Sequence, residues 1–121
     1  MPKAHTAARR ADRMTHAFDD AECGRIVEIL KAIAHPLRLR VVAVLCERDE
    51  NVSSLAAELG ANQTIVSQQL RILRMSGLVN VDRKGGFAVY SLAEPHLQTL
   101  IECMTGCVVE GRSGLRPTRG G

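Results

Sequence analysis

Residues 52–78, VSSLAAELGANQTIVSQQLRILRMSGL, limit the folds open to this chain more than any other stretch. Leu55, Ala56 and Leu59 fall at helical spacing. Gly60 follows them, and glycine takes the left-handed conformation at a helix C-terminus at least cost. Asn62 suits the N-cap of a second helix, and Gly77 marks its end. Within that helix Val66, Leu70 and Leu73 recur at i, i+4 and i+7, with Ile65 and Ile72 widening the stripe. Gln63, Thr64, Ser67, Gln68, Arg71 and Arg74 take the opposite face. That face carries amides, hydroxyls and guanidinium groups but no carboxylate. A phosphate-lined groove requires such chemistry, because amide and guanidinium forks bond base edges while an acid is repelled by the backbone. The pattern predicts a helix-turn-helix whose second helix enters the major groove.

An ordinary amphipathic helix pair would show a similar stripe. The next residues argue against it. LVNVDRKGGFAVYSL alternates apolar and polar residues on both sides of Lys84-Gly85-Gly86, which predicts a β-hairpin with a basic tip at Arg83 and Lys84. A helix-turn-helix followed at once by such a hairpin is a winged helix. The expected fold class is therefore mainly α with a small β-hairpin: about five helices and a two-stranded wing.

With 121 residues the chain has room for one small domain. It has no Trp, one Tyr and two Phe, so its core must be aliphatic and stacking on single-stranded nucleic acid is disfavoured. A core of this size gains from dimerisation. The net charge of +3 is mild, but Arg71, Arg74, Arg83 and Lys84 gather in the predicted DNA-reading unit. No apolar run approaches a membrane span and the N-terminus lacks an apolar signal core, which predicts a cytoplasmic protein with no membrane partner. The four cysteines would then rest as thiols.

In chain order, residues 1–16 are polar and basic and read as a flexible arm. The winged-helix domain is expected over residues 17–108 and a Gly- and Arg-rich flexible tail over residues 109–121. A first helix starts at Asp19 or Asp20, with Cys23, Ile26, Val27, Leu30 and Ile33 on one face. Pro36 opens a second helix reaching about Arg48, with Leu39, Val42, Leu45 and Cys46 turned inward. Asp49-Glu50-Asn51 reads as a polar connection. Pro95 opens a last helix with Leu97, Leu100, Ile101, Met104 and Val108 as its stripe.

KAIAHPLRLRVVAVL, VSSLAAELGANQTIVSQQLRILRMSGLV and DRKGGFAVYSL together resemble the ArsR/SmtB winged-helix repressors. The recurrent pattern of that family is a His-Pro-x-Arg helix start, a Ser-Gln-x-Leu recognition core, and an Arg-x-Gly wing followed by Tyr-x-Leu. The resemblance covers roughly residues 26–107. It implies a repressor dimerising through its first and last helices on double-stranded DNA with an inverted-repeat operator. It implies no catalysis, and no motif here sets a nucleophile beside a base. DNA-reading candidates are Gln63, Thr64, Ser67, Gln68 and Arg71, with Arg83 and Lys84 on the wing. A winged helix used for protein contacts is the rival of a different class, and the neutral-to-basic recognition face argues against it.

Sensing would fall to the cysteines. Cys103 and Cys107 are four residues apart on the last helix, about 5–6 Å between Cβ atoms, too far for a disulfide without unwinding. Two thiolates at that spacing can converge on one soft ion such as arsenic(III), mercury(II), cadmium(II) or zinc(II). The dimer geometry implied by the resemblance brings Cys23 of the other subunit within reach as a third ligand, with Cys46 as its competitor. No permanently bound cofactor is expected. A free cysteine also packs as a small hydrophobe, and each of these four lies on or beside an apolar stripe. The family's Cys-x-Cys arsenic site has no counterpart, since that segment reads Val52-Ser53-Ser54-Leu55. Its zinc site needs an acid and several histidines, and the last helix offers only Glu94 and His96. Some relatives sense oxidants or persulfides with one cysteine on the second helix and one on the last. Cys46 with Cys103 or Cys107 would fill those parts, although the relatives' second-helix cysteine aligns with Ala43. His35 is expected to cap its helix and His96 to lie on the surface.

Overall fold

The computed structural model describes residues 19–114, and side chains from Asp19 to Val109. Among the described residues five helices and three strands follow in order: α1 (Asp20–Ile33), α2 (Pro36–Glu47), β1 (Glu50–Asn51), α3 (Val52–Leu59), α4 (Gln63–Met75), β2 (Val79–Lys84), β3 (Phe87–Leu92) and α5 (His96–Gly114). Side-chain caps set most of the helix starts. The Asp19 carboxylate accepts from the Glu22 N–H, and the Asn51 amide oxygen from the Ser54 N–H, each at 2.8 Å. His35 Nδ1 accepts from the N–H groups of Leu37 and Arg38, and Pro36 supplies the first helical position of α2. The expected capping role of His35 is what the structure shows.

The strands form one antiparallel sheet in the order β1-β3-β2. Val79 pairs with Leu92 and Lys84 with Phe87, while Glu50 and Asn51 pair with Tyr90 and Val89. β1 is a third strand where only two were expected. A two-residue polar strand has no alternation to betray it, and its pairing depends on β3 far along the chain. Arg48 holds this corner, ion-pairing with Glu50 at 2.8 Å and with Glu58 of α3.

The core is aliphatic, as expected. Val41, Val42, Leu55, Val66, Leu70, Leu73 and Leu78 are fully buried, and Leu97 and Ile101 of α5 close over them. Three expectations about facing differ. On α2, Val41, Val42, Val44 and Leu45 are buried while Leu39 is 43% exposed. On α1 only Ala32 and Ile33 are buried, whereas Cys23, Ile26, Val27 and Leu30 are exposed. On α5, Met104 and Val108 are each 54% exposed. These stripes are real, but nothing among the described residues covers them. Pro95 lies in the turn before α5, and the helix continues to Gly114, past the Val108 limit expected for the domain. The arm expected over residues 1–16 lies outside the described residues, as does the tail from residue 115. Among the described residues no helix is long and apolar enough to cross a membrane.

Candidate nucleic-acid interface and thiol positions

The turn between α3 and α4 is built from backbone conformations and one cap. Gly60 sits at φ 61°, ψ 37°, the left-handed region that glycine tolerates. The Asn62 amide oxygen then accepts from the N–H groups of Thr64 at 2.7 Å and Ile65 at 3.3 Å. Val66, Leu70 and Leu73 anchor α4 in the core. The face opposite is set outward as a consequence, with Thr64, Ser67, Gln68, Arg71 and Arg74 all exposed. Among the described residues Ser67, Gln68, Arg71 and Arg74 make no side-chain hydrogen bond or ion pair to the protein. Gln63 is different: its amide donates to the Ser53 hydroxyl at 3.0 Å, tying the start of α4 to α3.

Ile65, expected to widen the buried stripe, is 47% exposed three residues before Gln68, and Ile72 is exposed as well. Their helical angle puts them at the edge of the core face rather than on it. Between α4 and the sheet lies a cleft of about 490 Å³ lined by Ser67, Gln68, Arg71, Arg74 and Tyr90. Tyr90, on β3, was not among the candidates. Strand alternation alone does not say which face of the hairpin meets α4.

The wing turns at Gly85 and Gly86, with φ 58° and 85°. Two successive positive φ values give the tight turn that matches strand twist. Arg83, Lys84 and Phe87 stand exposed at its tip.

The thiols fall into two groups. Cys23, Cys103 and Cys107 are exposed, and Cys46 is half-buried. Cys46 borders a groove of about 790 Å³ between α2 and α5, where α5 presents Glu102, Thr105 and Val109. Burial, followed by the nearby Glu102 and Glu47 carboxylates, raises the Cys46 pKa. At about 100° per residue, Cys103 and Cys107 lie on the other flank of α5 from that groove. They share their flank with Met104. Cys23 lies on the uncovered face of α1 with Ile26, Val27 and Leu30. Among the described residues no group of three or more His, Cys, Asp or Glu side chains is gathered to hold a metal ion. His96 is on the surface, as expected, and its ring meets Glu94 at 2.8 Å. That contact holds the Glu94 carboxyl below the usual range.

A core-anchored recognition helix, a basic two-glycine wing and a reading face without acids define a winged helix-turn-helix DNA-binding protein. Residues 35–81 match the family described as "Bacterial regulatory protein, arsR family". The HTH-type transcriptional regulator NmtR of Mycobacterium tuberculosis is 36% identical over 91 residues, spanning 75% of this chain and 76% of that protein. The HTH-type regulator Rv0081 of the same species is 39% identical over 75 residues, spanning 61% of this chain and 66% of its own length. The crystal structure of the antimony-specific transcriptional repressor AntR superposes with a TM-score of 0.72 at 27% identity, covering 78% of this chain and 86% of that one. The chain belongs to the ArsR/SmtB family of DNA-binding transcriptional regulators.

Proposed function

We propose that this chain is a homodimeric, cytoplasmic repressor that binds an inverted-repeat operator and leaves it when its thiols bind a soft metal or metalloid. Base reading falls to Gln63, Thr64, Ser67, Gln68 and Arg71 of α4, and Arg83 and Lys84 of the wing contact the phosphates. Arg74 and Tyr90 line the cleft beside Arg71 and suit a further phosphate, while exposed Ile65 suits a thymine methyl. The inducer site joins Cys103 and Cys107 to Cys23 of the partner subunit.

One observation carries the reading. Both uncovered apolar faces, on α1 and α5, bear the exposed cysteines, so a dimer that buries those faces also gathers the thiols. A second subunit is needed, because one protomer supplies only the two thiols of α5. Thiolates prefer soft ions, which favours arsenic(III), cadmium(II), mercury(II) or zinc(II) over hard cations. The similarity to a repressor described as antimony-specific points the same way. Oxidative switching through Cys46 has less support: its thiol resists ionisation, and the α5 cysteines lie on the other flank. A protein-contact role is disfavoured by the acid-free reading face.

The test is fluorescence anisotropy on a duplex selected by the protein from a randomised pool, titrated separately with arsenite, cadmium and an organic persulfide. Cys103→Ser and Cys107→Ser are expected to bind DNA normally and to ignore arsenite and cadmium. Cys23→Ser behaves likewise if the site bridges subunits. Normal release by the Cys103/Cys107 double variant with all three agents sinks the sensing assignment.

A further inference from the structure

Arg38 stands where three helices meet. Its guanidinium donates through Nε to the Ala32 carbonyl at 2.5 Å, through Nη2 to the Lys31 carbonyl at 3.5 Å, and through Nη1 to Gln69 Oε1 at 2.7 Å. Ala32 and Lys31 belong to the last turn of α1, whose carbonyls have no donor within their own helix. A cation there also meets the negative end of the helix dipole. Gln69 is on α4, next in the chain to Gln68 but turned inward and half-buried. One rigid fork therefore joins the end of α1 to the middle of the recognition helix. A second, longer link runs from Arg25 Nη1 of α1 to the Ser76 carbonyl at the C-cap of α4, at 3.4 Å.

The apolar stripe of α4 fixes which face turns outward, but burial is non-directional and sets the finer rotation less sharply. Hydrogen bonds are directional. A rotation of about 20° about the helix axis carries a side-chain tip about 2 Å, enough to break a base contact. We propose that Arg38 is a positioning residue for DNA reading: by joining the last-turn carbonyls of α1 to Gln69, it sets the angle at which Gln68 faces the bases. Since α1 carries an uncovered apolar face, the same fork links subunit packing to the pose of the reading helix. This inference rests on α4 as the DNA-reading helix.

The experiment compares wild type, Gln69→Met, Arg38→Lys, the double variant and Gln68→Ala. Affinity is measured for the duplex selected by wild type and for a random-sequence duplex of equal length. Methionine keeps the size and helix preference of Gln69 but removes the acceptor. Lysine keeps the charge of Arg38 but loses the planar fork. Each single variant is expected to lose about tenfold on the selected duplex, with unchanged affinity and salt slope on random DNA. The double variant should lose no more than the worse single one. A purely structural role would instead lower both affinities together. Equal losses on both duplexes, additive losses in the double variant, or no loss in Gln69→Met each overturn the proposal. Thermal melts monitor folding, and Gln69→Met decides alone if Arg38→Lys melts below the assay temperature. Failure of wild type to discriminate between the duplexes, or full discrimination by Gln68→Ala, would overturn the reading-helix assignment itself, a result separable from failure of the fork.

Discussion

Gln68 and Cys46 show how local surroundings divide residues that look alike in the sequence. Gln68 and Gln69 are neighbours of one type, yet the first is exposed and the second is half-buried against Arg38. Gln68→Ala is expected to lower operator affinity by roughly 1–3 kcal/mol with little change in folding, because a bidentate base contact is worth about that much. Matched titrations on selected and random DNA check it, and equal losses on both would mean that Gln68 reads no sequence. Cys46 differs from the other three cysteines in the same way. Its thiol is half-buried and its pKa is raised by burial and by Glu102 and Glu47, so little thiolate forms near neutral pH. Alkylation by iodoacetamide at pH 7.5 (about neutral), at a dilution where the protein sediments as a monomer, followed by mass spectrometry, should label Cys23, Cys103 and Cys107 before Cys46. Labelling of Cys46 first would restore it as a reactive sensor.

Under the proposed function the wing contacts phosphates, so its residues should respond to substitution differently from a base reader on α4. Arg83→Ala and Lys84→Ala should weaken binding to every sequence, each lowering the salt slope by about one unit. An unchanged slope in the double variant would remove the wing from the interface. The wing and the helix-turn-helix were also the legible elements. Gly60, Asn62 and the Val66-Leu70-Leu73 stripe are local signals, and the structure uses each as the sequence suggests. Elements whose surroundings come from distant parts of the chain were not legible. The pairing of Glu50 and Asn51 with β3, the placement of Tyr90 against α4 and the Arg38–Gln69 bond span long sequence separations. Periodicity identified apolar stripes on α1 and α5 correctly, but it cannot tell a face buried in the core from one left uncovered. Leu39 and Ile65 show the finer limit, since a residue at the margin of a stripe is settled by the neighbouring helix.

At the scale of the whole molecule, the uncovered faces and the switch are one problem. Under the proposed function, a ligand at α1 and α5 releases DNA by favouring a dimer in which the two reading helices no longer fit successive grooves. Reversing occupancy from about 99:1 requires roughly 5.5 kcal/mol of differential affinity. A single rearranged hydrogen bond supplies about 1 kcal/mol, so a multi-thiolate site is the stronger candidate, and it requires an intact dimer. Leu30, 49% exposed amid Ile26 and Val27, is a point at which the dimer can be broken without touching the protomer's own core. Leu30→Glu should leave helical content unchanged by circular dichroism and shift the sedimentation coefficient from dimer to monomer. Its footprint should shrink from two half-sites, spaced by about one helical turn or a multiple of it, to one half-site of low affinity. The arsenite response should vanish with the second subunit's Cys23, even though Cys103 and Cys107 remain. A Leu30→Glu protein that stays dimeric would place the subunit contact elsewhere. A monomer that still released DNA with arsenite would confine the switch to the two thiols of a single α5.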